Sequence, residues 1–436
     1  MRLEVKGNPN YCATIIVIDN IIELEGCDNI QSSLIFGCNV IISKDVKIGD
    51  IGIYFPAETA LSDNFLSVNN LYRDKELNVD KNKVGFFEKN RRIRTMKLRG
   101  FKSEGFFTPL SSLNCIIKNQ EDILNFEIGT DFDHIDGQMI CEKYFVPTKQ
   151  VQNISKNNRI KRFNRLLNNQ YRLHIDTGTL AKNIYCIQPT DLIQISEKIH
   201  GSSFISSNIL CNKKLTLKDK IAKWLGVNVI DKEYDNIFGS RKVIKNQYLY
   251  KNKLNHLYEE DIWGIVNKEL QSYLLEGMTI YGEVCGYLST GKPIQKNFDY
   301  GCSIGKHDIY IYRITTTSPS GKVFEWSTKQ IQDWCKQNGL KAVLEHYYGY
   351  AKDLFKDISS FIFNDVETWQ HLFLKNLQET YLEKDCMICK NKVPAEGICL
   401  RKESLDIEIW KLKSSAFRLM ETKLLDEGLN NIEDNQ

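Results

Sequence analysis

The chain has 436 residues, 42% hydrophobic and 26% charged, with a formal net charge of +3. This is a globular composition on a chain too long for one core, so two or three domains are expected; the small net charge neither supports nor excludes a nucleic-acid partner, which must be argued from local clustering. No apolar run is long enough to span a bilayer and no N-terminal export signal is visible, so the thirteen cysteines are expected to be reduced thiols in a cytoplasmic, membrane-free protein.

In chain order, Ala13–Ile18, Ser33–Phe36, Val40–Ile42 and Ile51–Phe55 are β-forming runs separated by turn residues, which predicts a small antiparallel barrel or sandwich within residues 1–140. Arg92, Arg94, Lys97 and Arg99 alternate in the same region, with Phe101, Phe106 and Phe107 close by. A basic, aromatic-bearing barrel face suits a single-stranded or distorted nucleic acid; the plainer reading is a charged edge strand. Lys97-Leu98-Arg99-Gly100 followed by Ser103-Glu104-Gly105 resembles the OB-fold RNA-binding modules of some tRNA synthetases and RNA ligases, which implies RNA contacts from Arg94, Lys97 and Arg99.

Residues 141–170 are rich in lysine, arginine and asparagine and read as a basic linker, helical between Arg159 and Leu167. Beyond it, Tyr171–His174, Ile193–Ile195, Met278–Val284 and Ile309–Ile314 are expected as strands, and 260–275 as a helix. Residues 327–383 space Trp334, Tyr347, Leu354, Phe355, Trp369 and Phe373 as a helical insertion would. Cys386-Met387-Ile388-Cys389 supplies two of the four ligands a structural zinc needs, so a turn with two buried thiols is expected before a metal knuckle.

The stretch Ile195-Ser196-Glu197-Lys198-Ile199-His200-Gly201-Ser202-Ser203-Phe204 sets a lysine between a β-type run and a small-residue turn. Burial or neighbouring positive charge makes a lysine nucleophilic by lowering its pKa from about 10.4, although most such strings are surface turns. Downstream lie Arg241, Glu283, Tyr310 and Tyr312, Glu396, and the pair Lys411 and Lys413, which at i, i+2 point the same way from a strand. Basic groups neutralise an attacked phosphate, carboxylates hold a divalent cation and a sugar hydroxyl, and an aromatic face stacks on a base. Each alone has a plainer role in sheet packing or solvation; together they point to nucleotide transfer.

This order resembles the covalent nucleotidyltransferase superfamily of polynucleotide ligases and mRNA capping enzymes, and within it the phage-type RNA ligase 2 group. Glu197-Lys198-Ile199-His200-Gly201 is similar to that group's nucleophile motif, with histidine where DNA ligases usually carry aspartate. Ser240-Arg241, Tyr281-Gly282-Glu283-Val284, Pro293–Tyr300, Asp308–Tyr312, Ala395–Arg401 and Trp410-Lys411-Leu412-Lys413 fall where its later motifs fall. The resemblance implies an ATP-dependent RNA ligase that joins 3′-hydroxyl and 5′-phosphate ends of a nicked duplex or broken RNA. Lys198 would take AMP from ATP and pass it to the 5′-phosphate, and the 3′-hydroxyl would then displace it.

It further implies that Lys411 and Lys413 grip the AMP phosphate, Tyr312 stacks on adenine, and Glu197, His200 and Gly201 shape the nucleotide pocket. Glu283 would contact ribose or metal, Glu396 the metal, Arg241 the nucleotide or RNA end, and Gln295 the RNA end. ATP and Mg2+, with Mn2+ as a substitute, are the implied cofactors. Ser203 and Arg313 depart from the group's usual asparagine and aspartate. An OB-like domain in front, with only a short stretch after Lys413, resembles the Deinococcus-type RNA ligases. The expected architecture is α+β: an OB-like barrel over 1–140, then an antiparallel-sheet nucleotidyltransferase domain over 171–436 with its insertion at 327–383, acting as a monomer. A capping-type guanylyltransferase and an inactive RNA-binding homologue are the alternatives.

Overall fold

The computed structural model describes residues 2–114, 116–117, 126–146, 165–245, 260–362 and 364–427. It divides into two compact units, Met1–Pro147 with Gly178–Ile184 and Ser415–Leu429, and Thr148–Thr177 with Tyr185–Ser414 and Asn430–Gln436. Most of the expected basic linker, including 159–164 of its predicted helix, lies outside the described residues, and residues 165–167 are not helical. Among the described residues no helix is long and apolar enough to cross a membrane.

In the first unit the expected strands form as β1 (Ala13–Val17), β2 (Ile30–Ile35), β3 (Cys38–Ser43) and β4 (Ile51–Pro56), followed by β5 (Met96–Leu98), β6 (Phe101–Ser103), β7 (Gly105–Pro109) and β8 (Asp131–Phe132). They do not close into the expected barrel. Among the described residues β8-β1-β4-β7 make one four-stranded sheet, while β2-β3 and β5-β6 stand as separate hairpins. The burial pattern gives the reason. A barrel strand alternates between an interior and an exterior, but Ala13, Ile15, Ile53 and Phe55 enter one core cluster and Ile16, Tyr54 and Phe107 another. The central strands are therefore covered on both faces, as in a layered sheet.

The basic segment is also rearranged relative to expectation. Arg92 is buried and pairs with Glu58 at 2.7 Å and Asp426 at 3.0 Å, and Arg94 reaches Asp426 at 3.5 Å. Phe106 and Phe107 serve the cores rather than an open aromatic face. Lys97 and Arg99 remain exposed on the β5–β6 hairpin, whose turn has positive φ at both Arg99 and Gly100, the type I′ geometry that matches strand twist. The C-terminal helix Ser415–Asp426, expected in the second domain, belongs to this first unit, where Arg418 faces Glu104 at 3.6 Å.

The second unit holds two antiparallel sheets. Its strands are β9 (Leu192–Glu197), β10 (Ser202–Asn212), β11 (Lys232–Gly239), β12 (Ile244–Lys245), β13 (Met278–Gly286), β14 (His307–Thr317), β15 (Val323–Glu325), β16 (Lys341–Ala342), β17 (Glu345–Tyr350), β18 (Gly397–Lys402) and β19 (Glu408–Lys413). The first sheet runs β12-β11-β10-β13-β14-β15, with β16 parallel to β14; in the second, β19, β18, β9 and β17 lie side by side. The helix Ile262–Leu270 forms where the apolar spacing predicts it and packs Ile262, Trp263, Val266 and Leu270 against Phe204, Phe238 and Val284.

Two further expectations are corrected. Tyr171–His174 joins no strand ladder. Residues 327–383 contain the helices Thr328–Gln337 and Val366–Tyr381 but are not a helical insertion, because β17 runs through them and pairs with β9. The tyrosines of Glu345–Tyr350 are β-formers whose extended preference prevails over a helical spacing set by residues farther away.

Candidate functional site

Lys198 stands in the turn between β9 of one sheet and β10 of the other, and both neighbours fix it. Its backbone N–H donates to the Gly397 carbonyl at 2.9 Å, and that of Glu197 donates to the Leu344 carbonyl at 2.8 Å. Glycine is required on both sides. At Gly397 (φ 140°) a Cβ would sit 2.0 Å from the Leu412 carbonyl oxygen, and at Gly201 one would sit 2.4 Å from that of Val284.

The Lys198 ammonium meets Glu396 Oε1 at 2.8 Å, and Lys413 reaches the same oxygen at 3.2 Å. Glu396 immediately precedes β18 and Lys413 lies opposite Gly397 in the β18–β19 ladder, while the Lys198 N–H bond to Gly397 brings the third side chain to the same place. Burial alone would raise the Glu396 pKa; the charges of Lys198, Lys413 and His200 outweigh it and hold the carboxyl down at about 2. Lys411, two residues along the same strand face and opposite Cys399, is lowered to about 7, first by burial and then by the charges of Lys413, Lys198 and Arg241. His200 Nδ1 is 3.8 Å from Glu396 Oε2, its ring meets Phe298 edge-on at 4.9 Å, and its backbone N–H donates to the Tyr300 hydroxyl at 2.6 Å.

From Lys198 a cleft open to solvent runs between the sheets, lined by Glu197, Lys198, Arg241, Glu283 and Tyr312 among others. Glu283 accepts from the Ser203 hydroxyl at 3.3 Å, Arg241 pairs with Asp176, and the Tyr312 hydroxyl shares a 2.7 Å hydrogen bond with His174 Nδ1. The β13–β14 register shifts at Tyr281/Gly282, leaving Tyr312 as the extra residue between partners. Such a bulge re-aims side chains, and here both Tyr312 and Arg313 face the cleft while Tyr310 is buried elsewhere. Gln295 is buried and donates to the Gly201 carbonyl at 2.6 Å, bracing the turn behind Lys198. Arg94, Lys97 and Arg99 belong to the first unit.

Sequence reasoning missed three participants. His346 on β17 shares a 2.9 Å hydrogen bond with Glu197. Arg313, noted only as a departure, is clamped by Glu325 and lies 4.4 Å over the Tyr281 ring. Arg401 lines the cleft; its Nη2 donates to the Trp326 carbonyl at 2.6 Å, while its buried Nε and Nη1 have no hydrogen-bond partner. Period-two alternation along Gly397, Cys399 and Arg401 was the available signal.

For a divalent cation, the donors present are carboxylate oxygens, and the buried Glu396 Oε2 accepts no hydrogen bond. Among the described residues no three His, Cys, Asp or Glu side chains form a metal cage. That donor set fits a magnesium-like ion, which keeps waters and phosphate oxygens beside one or two carboxylates.

A search of curated proteins finds no match to this sequence. Among solved structures, the chain is similar in fold to Naegleria gruberi RNA ligase. A variant with AMP and manganese aligns at a TM-score of 0.55 and 17% identity over 93% of this chain and 97% of that one. A variant with ATP and manganese gives 0.55 and 17% over 95% and 99%, and the ligase with pyrophosphate 0.56 and 18% over 94% and 98%. The RNA ligase family model matches residues 191–413, just over half of the sequence and the whole span from β9 to β19. The chain belongs to the RNA ligase family.

Proposed function

We propose that the protein is an ATP-dependent RNA ligase that seals 3′-hydroxyl to 5′-phosphate ends through a lysyl-AMP intermediate. The observation that carries this reading is the convergence of Lys198, Lys413 and Glu396 beside a cleft lined by Arg241, Glu283 and Tyr312. The Lys198 amine attacks the α-phosphate of ATP, forming an N–P bond as pyrophosphate leaves. A 5′-phosphate oxygen of the RNA then breaks that bond and takes AMP, and the 3′-hydroxyl attacks the RNA phosphate and expels AMP. Lys411 and Lys413 hold the phosphate charge, Tyr312 stacks on the base, Glu283 receives the ribose, and Arg241 meets the nucleotide or the RNA end. Glu197, His200, Gly201 and Gln295 position the nucleophile turn. Glu283 and Glu396 would hold Mg2+ or Mn2+, which when bound neutralises the α-phosphate.

Incubating the protein with α-labelled ATP, magnesium and a nicked duplex bearing a 5′-phosphate is expected to give labelled protein, adenylated RNA and sealed product in that order; absence of all three refutes the reading. Labelled GTP run beside ATP decides between ligase and capping-type guanylyltransferase.

The Lys411 pKa of about 7 gives a separate expectation. An anionic phosphate raises the pKa of a neighbouring lysine, so AMP binding at pH 8 should take up close to one proton and weaken as pH rises above 7. Calorimetry in buffers of different ionisation enthalpy reads this, and Lys411→Met should abolish the uptake.

We further propose that the first unit is an OB-like platform for RNA, with Lys97 and Arg99 as phosphate contacts, in a monomeric cytoplasmic enzyme. Replacing both by alanine is expected to spare self-adenylylation and raise the KM for RNA about tenfold, with a shallower salt dependence.

A further inference from the structure

The catalytic groups leave unused the pair Cys386 and Cys389, on the turn that leads into Glu396. Three contacts tie this turn to the nucleophile. Cys386 N–H donates to the Val393 carbonyl at 2.8 Å, and Ala395 N–H to that of Lys384 at 2.9 Å, so the turn is the tip of a hairpin ending one residue before Glu396. The backbone N–H groups of Lys390 and Asn391 donate to the Asp299 carboxylate at 3.0 and 2.9 Å. The Tyr300 N–H donates to Cys389 Sγ at 3.4 Å, and the Tyr300 hydroxyl accepts the His200 N–H at 2.6 Å. From the thiol pair to the nucleophile turn there is thus one intervening residue, Tyr300.

Cys386 and Cys389 stand three residues apart at the tip of this hairpin; the neighbouring Cys389 thiol and the N–H groups of Cys389 and Ile388 lower the Cys386 thiol, while Cys389 is raised. Cys386 is buried, Cys389 half-buried, and Met387 between them 69% exposed. Two thiols on a thin turn, one of them lowered, have the arrangement of an oxidisable dithiol. Among the described residues no three metal-ligating side chains gather here or elsewhere.

We propose that Cys386 and Cys389 are a thiol-modification site, closed to a disulfide by hydrogen peroxide, and that closure disables the neighbouring adenylylation centre. The Cys386 sulfur attacks one peroxide oxygen; the O–O bond breaks and hydroxide leaves. Cys389 sulfur then attacks the resulting sulfenic acid, forming S–S and breaking S–O. Two thiols give up two electrons and two protons, and the peroxide becomes two waters. Closure fixes the sulfurs at about 2.05 Å, which pulls Cys389 off the Tyr300 N–H and shifts both the His200 contact and the approach to Glu396.

The activity arm of the test rests on the ligase reading, while its chemical arm does not. The full chain is treated with a few equivalents of hydrogen peroxide, free thiols are alkylated, and the peptide carrying Cys386 and Cys389 is weighed. The expected peptide lacks alkyl groups and is two hydrogens lighter, with at least a tenfold drop in covalent labelling by α-labelled ATP that dithiothreitol reverses. The variant Cys386→Ser with Cys389→Ser is expected to label normally and to resist peroxide. An alkylated pair in the wild type overturns the proposal, as does stoichiometric zinc bound to the pair. Equal inhibition of the double variant overturns the coupling to the centre. If neither protein labels before treatment, the ligase reading fails, while the peptide mass still decides the disulfide.

Discussion

Replacing Lys198 with alanine is expected to remove covalent nucleotide labelling and to lower the sealing of a 5′-phosphate nick by on the order of 10⁴-fold or more, as loss of a nucleophile does elsewhere. The chain should still fold. The Lys198 side chain is about a fifth exposed and its loss leaves Glu396 paired with Lys413. The same variant should still join RNA that already carries a 5′-adenylate, because the last step needs the cleft and the phosphate-binding lysines but not the amine. A variant that seals neither substrate, with intact folding by circular dichroism, would assign Lys198 to binding instead.

Replacing Glu396 with glutamine is expected to slow adenylylation about 10²- to 10³-fold, the usual cost of losing one preorganised electrostatic group, and to destabilise the protein. The side chain is 4% exposed and faces two ammonium groups, so its neutralisation strands them. Breaking a buried pair costs about 3–5 kcal/mol; with the lysines keeping about a fifth of their surface in water, the lower end, about 3 kcal/mol, is expected in denaturant unfolding. The pH dependence has a definite sign. A carboxyl held at about 2 in the fold and near 4.3 when unfolded stabilises the native state above the unfolded value, and loses that contribution as pH falls from about 4.5 toward 2. The variant should lack this part of the acid limb. Unchanged stability at neutral pH would show that the pair makes no net contribution.

The residues of the candidate site were legible because each sits at a strand end or on a period-two strand, where local spacing fixes direction. Lys411 and Lys413 share a face as i, i+2 requires, and Glu197, Lys198, Arg241, Glu283 and Tyr312 do line one cleft. What the sequence hid depends on pairing between distant strands. Tyr312 and Arg313 both reach the cleft only because β14 bulges against β13, and His346 meets Glu197 only because β17 pairs with β9. In the first unit, the alternation of Arg92 and Arg94 suggested an open basic row. Asp426, more than three hundred residues away, pairs with both, and Glu58 takes the other edge of Arg92. The two-faced burial of β1 and β4, seen together with the absence of a closed barrel among the described residues, likewise depends on which segments cover them rather than on their own composition.

The central claim is that Lys198 carries AMP during the reaction. Wild-type protein incubated with ATP and magnesium, quenched, digested and sequenced by mass spectrometry should show one adenylate, on the peptide containing Ile195–Phe204, attached at Lys198 through an acid-labile, alkali-stable phosphoramidate. An adduct on any other residue, or sealing of RNA with no adduct formed, would contradict it.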